Sequence, residues 1–407
     1  MYDFSPTTEQ QDILDKTIRI MEQHVYPAET ELSEEAGFPE ERMRALQRHV
    51  KEAGLWAPHL PKEAGGLGMG MVTLGLMNEV LGRSPIAPRV FGTNAPDTGN
   101  QEVLWLAGTP EQKERYLTPS VAGDIYTSFA MTEPEFSGSD PVMMGTTATL
   151  EGDEWVINGH KWFATSGSRA SFFIVMAVTD PHALPHERAS MIIVERDTPG
   201  LEIVRDVPVM GDSLGGHTEL RFQNCRVPRD HLLGKRGAGF FLAQARLGPG
   251  RITHAMRWIG VMERSFEMML DYAQKRETRG QKLAEFQSVQ NAIADSYADI
   301  QSSRLLTLHA AWKLDREHDA RTDISLIKFY GANALQRVVD RAIQVHGALG
   351  FSKDTPLEAY YREARAARIY DGVDEVHRVV VAKRLLKAYR VHAGTRAGAA
   401  DGEAAPV

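Results

Sequence analysis

The feature that most constrains this chain is the order of its hydrophobic periods. Apolar residues recur at helical spacing up to about Asp124, short runs rich in β-branched and aromatic residues follow, and from about Ala238 a helical period returns and persists. Strand and helix patterns do not alternate. A doubly wound nucleotide-binding sheet requires that alternation, so any nucleotide cofactor must be held in another way. The order predicts an α+β protein in three units: an all-α domain over 1–124, a small antiparallel sheet or barrel over 125–236, and a helical bundle over 237–393. Residues 394–407, rich in Ala and Gly, carry no core-forming pattern and are expected to be disordered.

Within the first unit, Ser5-Pro6 reads as an N-cap and N1 proline for a helix with Ile13, Thr17, Ile18, Met21 and Val25 on one face. Met43, Leu46 and Val50 mark a second helix, Val72 to Leu81 a third, and Thr109-Pro110 caps another. Strands are expected at Tyr126 to Met131, Thr146 to Leu150, Trp155 to Ile157, Phe172 to Val178, Met191 to Val194 and Leu220 to Phe222. Phe286, Val289, Ile293, Tyr297 and Ile300 form one stripe of a long helix reaching about Asp315, and Ile324 to Val345 carries the next.

A net charge of −8 without any basic block argues against a nucleic-acid partner. The longest strongly apolar stretch, Phe172 to Val178, is too short for a membrane span. Cys225 is the only cysteine and Met1 to Pro6 has no leader pattern, which together suit a cytoplasmic protein. His182 and His186 are flanked by Pro181 and Pro185, so no regular zinc helix forms there and no metal is expected. Gly211-Asp212-Ser213-Leu214-Gly215 matches the nucleophile elbow of serine hydrolases, but its flanks are strand-like on both sides. A turn fits better, with a Ser213 hydrolase as a remote alternative.

Three segments carry more chemistry. Phe129 to Asp140 ends a strand in a loop of hydroxyls and acids, and Gly159 to Gly167 is a second aromatic and hydroxyl strand end. Ile369 to Arg378 breaks two helices. One of Asp371 and Asp374 reads as an N-cap; the other is open between a cap and a base whose pKa is raised by desolvation in an apolar linker.

Thr132-Glu133-Pro134 with Ser139-Asp140, Ile157-Asn158-Gly159-His160-Lys161 with Phe163 and Thr165, Leu247-Gly248-Pro249-Gly250-Arg251, Arg276-Glu277-Thr278, Phe286-Gln287, Gln344-Val345-His346-Gly347 and Asp371-Gly372 together resemble the acyl-CoA dehydrogenase family over about Ser5 to Tyr389. The runs Gly248 to His254 and Asp371 to His377 are most similar to the subgroup called family members ten and eleven, which carries Asp as its base. The resemblance implies an N-terminal α-helical domain, a middle antiparallel β-barrel and a C-terminal four-helix bundle. It also implies FAD as cofactor, an acyl-CoA substrate, electron transfer flavoprotein as acceptor, a homodimer or homotetramer, and a place in fatty acid β-oxidation.

By the same resemblance Met131, Thr132, Phe163 and Thr165 line the flavin ring, and Ser139 serves the cofactor and the CoA pyrophosphate side. Arg276, Thr278, Phe286, Gln287, Gln344 and Gly347 hold the adenine and pyrophosphate of the partner subunit's FAD. Asp371 stands where most relatives have a Glu base, one methylene longer, and would take the α-proton while hydride leaves for flavin N5. Arg251 would orient the base loop, with Gly372 beside the substrate. The alternative base position in a minority of relatives is here Gly250, which closes that route. Val373-Asp374-Glu375 replaces a common Thr-Ser-Gln, and Arg279 a common Phe. A nitroalkane-oxidase-like enzyme of the same fold, using Asp371 and oxygen, is the nearest alternative.

Overall fold

The computed structural model describes residues 5–33, 37–210 and 216–400, with side chains as far as 391. The first unit is helical. Its main elements are α1 (Thr8–Ile20), α2 (Glu40–Glu52), α3 (Gly70–Gly82) and α4 (Asp97–Ala107). The cap of α1 is Thr7, not Ser5-Pro6: its hydroxyl accepts from Gln10 N and its own N–H donates to Gln10 Oε1 at 2.8 Å, a reciprocal box that satisfies two free ends at once. The buried face of α1 runs through Leu14, Thr17 and Met21 into Val25, while Ile18, expected inside, is 38% exposed. These residues pack with Met43, Leu46, Val50, Met77, Leu81 and Phe91.

The middle unit is one eight-stranded sheet: β1 (Tyr126–Ala130), β2 (Thr147–Glu151), β3 (Glu154–Thr165), β4 (Ala170–Val178), β5 (Ala189–Glu195), β6 (Leu201–Asp206), β7 (His217–Pro228) and β8 (Leu232–Leu233). Its order is β6-β7-β3-β2-β4-β5-β8, with β1 beside β4. Most pairings are antiparallel; β1 runs parallel to β4. Strand β3 continues to Thr165, well beyond the apolar run at Trp155: after a bulge at Asn158, Gly159 to Lys161 break the hydrophobic pattern yet stay paired with β7. β6 was not legible from the sequence: only Leu201 and Ile203 face the core, and the rest of this edge strand is polar except for the exposed Val204.

The third unit contains α5 (Gly239–Lys275), α6 (Gln287–Asp315), α7 (Arg321–His346), α8 (Leu357–Ala366) and α9 (Asp374–Ala400). Ile252, Met256, Ile259, Met262, Ile300, Ile327, Leu335 and Val338 share its core. Tyr297, placed on the inner stripe of α6 by its spacing, is instead 55% exposed, and Ser296, Asp299 and Ser303 are buried. Asp299 accepts from Arg337 and Arg341 of α7, so a polar clamp replaces the expected aromatic. The tail expected to be disordered from 394 stays helical to Ala400; Ala393, Ala397, Ala399 and Ala400 favour helix without any apolar period. The remainder, 401–407, lies outside the described residues.

Helices α3 and α5 cross with almost no space between them. A Cβ on Gly82 would collide with the Arg257 carbonyl, and one on Gly260 with the Glu79 carbonyl. This backbone contact fixes the middle of α5, which carries the polar residues of the site, against the N-terminal unit.

Candidate active site

The loop between α8 and α9 holds Asp371 and Gly372, both left-handed, with φ of +53° and +105°. Asp tolerates this region better than most residues, and Gly372 is required: a Cβ there would lie 2.6 Å from His377 Nε2. Both carbonyls are pinned. Asp371 O accepts from Arg251 Nε at 2.9 Å and from His377 Nε2 at 3.2 Å, and Gly372 O accepts from Lys328 Nζ at 3.2 Å. Lys328 also donates to Ala367 O at 2.7 Å and lies over the rings of Trp258 and Tyr370. The carboxylate side chain of Asp371 is 24% exposed and that of His254, 3.5 Å away through Nε2 and Oδ2, 21%. Both side chains are mostly buried but keep an edge to solvent.

Burial pushes the Asp371 carboxyl up, but the neighbouring His254 imidazole and the charges of Arg251, Arg246 and Lys328 outweigh it and hold the group below the ordinary carboxylate range. This corrects the expectation of a raised pKa. The linker is apolar in sequence, but α5 and α7 bring their basic residues to it. His254 is driven down to about 3, by burial first and then by the charge of Arg257, so its ring is neutral at pH 7. Arg257 donates to His254 Nδ1 at 3.1 Å and to Thr93 O at 2.9 Å. Asp374, the other acid of the linker, accepts from Asn333 Nδ2 and Arg368 Nε, both at 2.8 Å. It ties α9 to α7 and the linker instead of capping a helix.

Toward the sheet, Arg246 lies over the Phe129 ring at 4.2 Å, close enough to Asp371 for the two charges to interact. Glu102 of α4 is pushed up to about 8 by burial, against the opposing charge of Arg246. Sequence reading assigned no role to His254, Lys328, Arg246 or Glu102. The available signals were His254 at the end of the run from Gly248, and a Lys at 328 inside the apolar period of α7.

The ends of β1 and β3 bring Met131, Thr132, Phe163 and Thr165 together. Trp162 N donates to Thr132 O at 3.1 Å, and the Thr132 hydroxyl donates to Trp162 O at 2.8 Å. Beneath them the buried Lys161 ammonium donates to Met131 O and to Glu133 Oε1, both at 2.8 Å, and Glu133 accepts from Gly145 N and Thr146 N. The Phe163 ring, at φ +52°, is 41% exposed and tilts against His217, whose Nδ1 is 3.0 Å from Thr165 Oγ1. Ser139 lies in the exposed loop after β1, its hydroxyl 2.7 Å from that of Ser137.

The remaining positions gather at the far ends of α5 and α7, where Tyr272 stacks on His346 at 4.4 Å. Arg276 follows α5, Thr278 lies in a small hairpin of β9 (Glu277–Thr278) and β10 (Gln281–Lys282), Phe286 precedes α6, and Gln287 opens it. Gln344 and Gly347 end α7. All but the partly buried Phe286 are exposed. Serine 213 lies outside the described residues.

These groups fit FAD by their chemistry: an exposed aromatic face beside a hydroxyl and an imidazole suits a planar heterocycle, and an exposed guanidinium among amides suits a pyrophosphate. Such a sheet end is of the kind a flavin-dependent oxidoreductase needs. Profiles described as the acyl-CoA dehydrogenase N-terminal, middle and C-terminal domains match residues 7–124, 128–225 and 237–386, and the chain belongs to the acyl-CoA dehydrogenase family.

The probable acyl-CoA dehydrogenase FadE2 of Mycobacterium tuberculosis is 41% identical over 92% of this chain and 95% of its own length. Mouse acyl-CoA dehydrogenase family members 10 and 11 are 41% and 39% identical over 92% and 94% of this chain, which spans only 37% and 51% of theirs. A solved acyl-CoA dehydrogenase-like structure from Mycobacterium abscessus superposes with a TM-score of 0.90 at 39% identity, over 95% of this chain and 100% of that one. FAD is the cofactor of the family. No helix among the described residues is long and apolar enough to cross a membrane.

Proposed function

We propose that this protein is an FAD-dependent dehydrogenase that introduces an α,β double bond into an acyl-CoA thioester, with Asp371 as the base. The observation that carries the reading is a carboxylate, held low in pKa by its cationic neighbours, on a loop whose two carbonyls are pinned by Arg251, His377 and Lys328. A base for a carbon acid must be unprotonated at the working pH and held at hydrogen-bond reach of its target. The cations around Asp371 favour the first condition, and the pinned loop supports the second.

Asp371 then takes the α-proton, and its own backbone N–H faces the negative charge that develops on the thioester oxygen. Bound FAD supplies the acceptor for the β-hydrogen and its electron pair. An Asp falls short of a Glu by about 1.5 Å of reach, so the left-handed backbone at Asp371 and Gly372 is the chain's means of setting where the shorter side chain begins. Arg251 and Gly372 shape the substrate end of the loop, and Ser139 serves the pyrophosphate side.

Met131, Thr132, Phe163 and Thr165 would hold the ring of one FAD. The cluster of Arg276, Thr278, Phe286, Gln287, Gln344 and Gly347 would hold the adenine and pyrophosphate of a second copy's FAD, which requires a homodimer or homotetramer. The exposed Val379, Leu385, Leu386 and Tyr389 on α9 support association. Electron transfer flavoprotein is the proposed acceptor.

The test is spectroscopic. The purified protein should carry a flavin band that bleaches when a saturated acyl-CoA is added without oxygen, and reoxidise slowly in air. A flavin indifferent to every acyl-CoA but bleached by a nitroalkane and rapidly reoxidised by oxygen would favour the oxidase branch.

A further inference from the structure

Whatever orients a base oxygen decides how often it meets its proton, and among the described residues the side chain in ion-pair range of the Asp371 carboxylate is that of His254. His254 lies on α5 with Nε2 3.5 Å from Asp371 Oδ2. Its ring is flanked by aromatics: Tyr370 lies at 5.1 Å and Trp258 at 6.4 Å between centroids. The tautomer follows from the partners. Arg257 has only donors to offer, so His254 Nδ1, 3.1 Å from its guanidinium, must accept. A neutral ring that accepts at Nδ1 carries its proton on Nε2, and that N–H faces the carboxylate. Arg257 is itself tied to Thr93 O, and its backbone carbonyl abuts Gly82 where α3 crosses α5. An unbroken line of contacts thus runs from the helix crossing to one oxygen of Asp371.

We infer that His254 is the positioning residue of the base: its Nε2–H engages Oδ2 of Asp371, leaving Oδ1 for the α-proton of the substrate. The inference rests on Asp371 being the base. It explains how a side chain one methylene short can work, since an oriented oxygen replaces reach. At 3.5 Å the contact is longer than a hydrogen bond, as base-orienting contacts often are before substrate arrives. His254 does not carry the abstracted proton onward. A ring that resists protonation at neutral pH and is already held at Nδ1 by a cation is a donor, not a relay. The other groups facing the carboxylate are Arg246 and Arg251 from α5, Lys328 from α7 and His377 from α9. Of these, Arg251 and His377 bond the Asp371 carbonyl and Lys328 that of Gly372.

The test compares His254→Gln, which can place an amide N–H near the Nε2 position, with His254→Asn, which places it near Nδ1, and His254→Phe, which has none. FAD content and the melting curve report folding, and anaerobic bleaching by the best saturated acyl-CoA is followed across pH. Gln should keep most of the wild-type rate and its pH profile. Asn and Phe should bleach roughly 10- to 100-fold more slowly at unchanged acyl-CoA affinity, with the acid limb moved to higher pH because the carboxylate has lost a donor. A merely structural role would slow all three alike and leave the limb in place, which overturns the inference. If Asp371→Asn, run in parallel, bleaches normally, the base assignment itself fails. If Asp371→Asn is inert while His254→Phe matches wild type in rate and profile, only the role of His254 fails.

Discussion

Arg251 donates from Nε to the carbonyl oxygen of Asp371 at 2.9 Å, joining α5 to a loop 120 residues further along the chain. The bond grips the backbone of the base and leaves its carboxylate free. Arg251→Ala should therefore retain FAD but bleach with acyl-CoA about 10- to 100-fold more slowly, since small displacements of a reacting group are costly. Stopped-flow reduction checks this. A variant at the wild-type rate would show that the loop holds its shape without Arg251.

Gly372→Ala should be more damaging than its size suggests. The new Cβ would meet His377 Nε2 at 2.6 Å on a backbone of φ +105°, so the loop must rebuild. A loss of about 1–3 kcal/mol is expected, measured by chemical denaturation, together with loss of acyl-CoA bleaching.

The crossing of α3 and α5 makes a separate stability prediction. Gly260→Ala pushes a methyl group against the Glu79 carbonyl, and backbone cannot step aside as a side chain can. Overpacking of this kind costs about 1–3 kcal/mol. The melting temperature should fall, and a melting curve equal to wild type would mean that the helices can slide apart.

Beneath the Met131-Thr132 strand end, Lys161 and Glu133 form a buried ion pair. Removing one partner strands the other charge, so Lys161→Met should cost about 3–5 kcal/mol, while Lys161→Met with Glu133→Leu should recover part of it. A double-mutant cycle by denaturation measures the coupling. FAD retention should fall with the single variant, because Lys161 also holds the Met131 carbonyl.

Three imidazoles set the acid response. Burial is the first cause for each: His59 is held down to about 4, His254 to about 3 and His377 to about 4, all from 6.5. The folded chain therefore refuses protons that the unfolded chain accepts below pH 6.5. Their contribution is fully present above 6.5 and is lost progressively as pH falls from 6.5, ending near 4 for His59 and His377 and near 3 for His254. Denaturation midpoints across that range should decline, and His59→Gln should flatten part of the slope.

Much of the fold was legible. The helix of Arg321–His346 followed its apolar period closely, because a buried helix face must repeat at 3.6 residues. The cap at Thr7 and the exposure of Tyr297 were not, since each turns on which of two nearby residues finds a partner in space. At the site, Asp371, Gly372 and Arg251 could be picked out because they sit in recognisable local runs. The part played by His254, Arg246 and Lys328 could not: His254 ends the same run as Arg251 and the other two are single polar residues on long helices, and only the packing of α5 and α7 brings them to the linker. That same convergence turned the expected raised carboxyl into a lowered one.

The most direct measurement is anaerobic titration of the FAD-loaded protein and its Asp371→Asn variant with the same acyl-CoA, followed at the flavin band. The account predicts equal FAD content and acyl-CoA binding in both, with bleaching in the wild type and bleaching slowed about 100-fold or more in the variant. Bleaching of Asp371→Asn at the wild-type rate would contradict it.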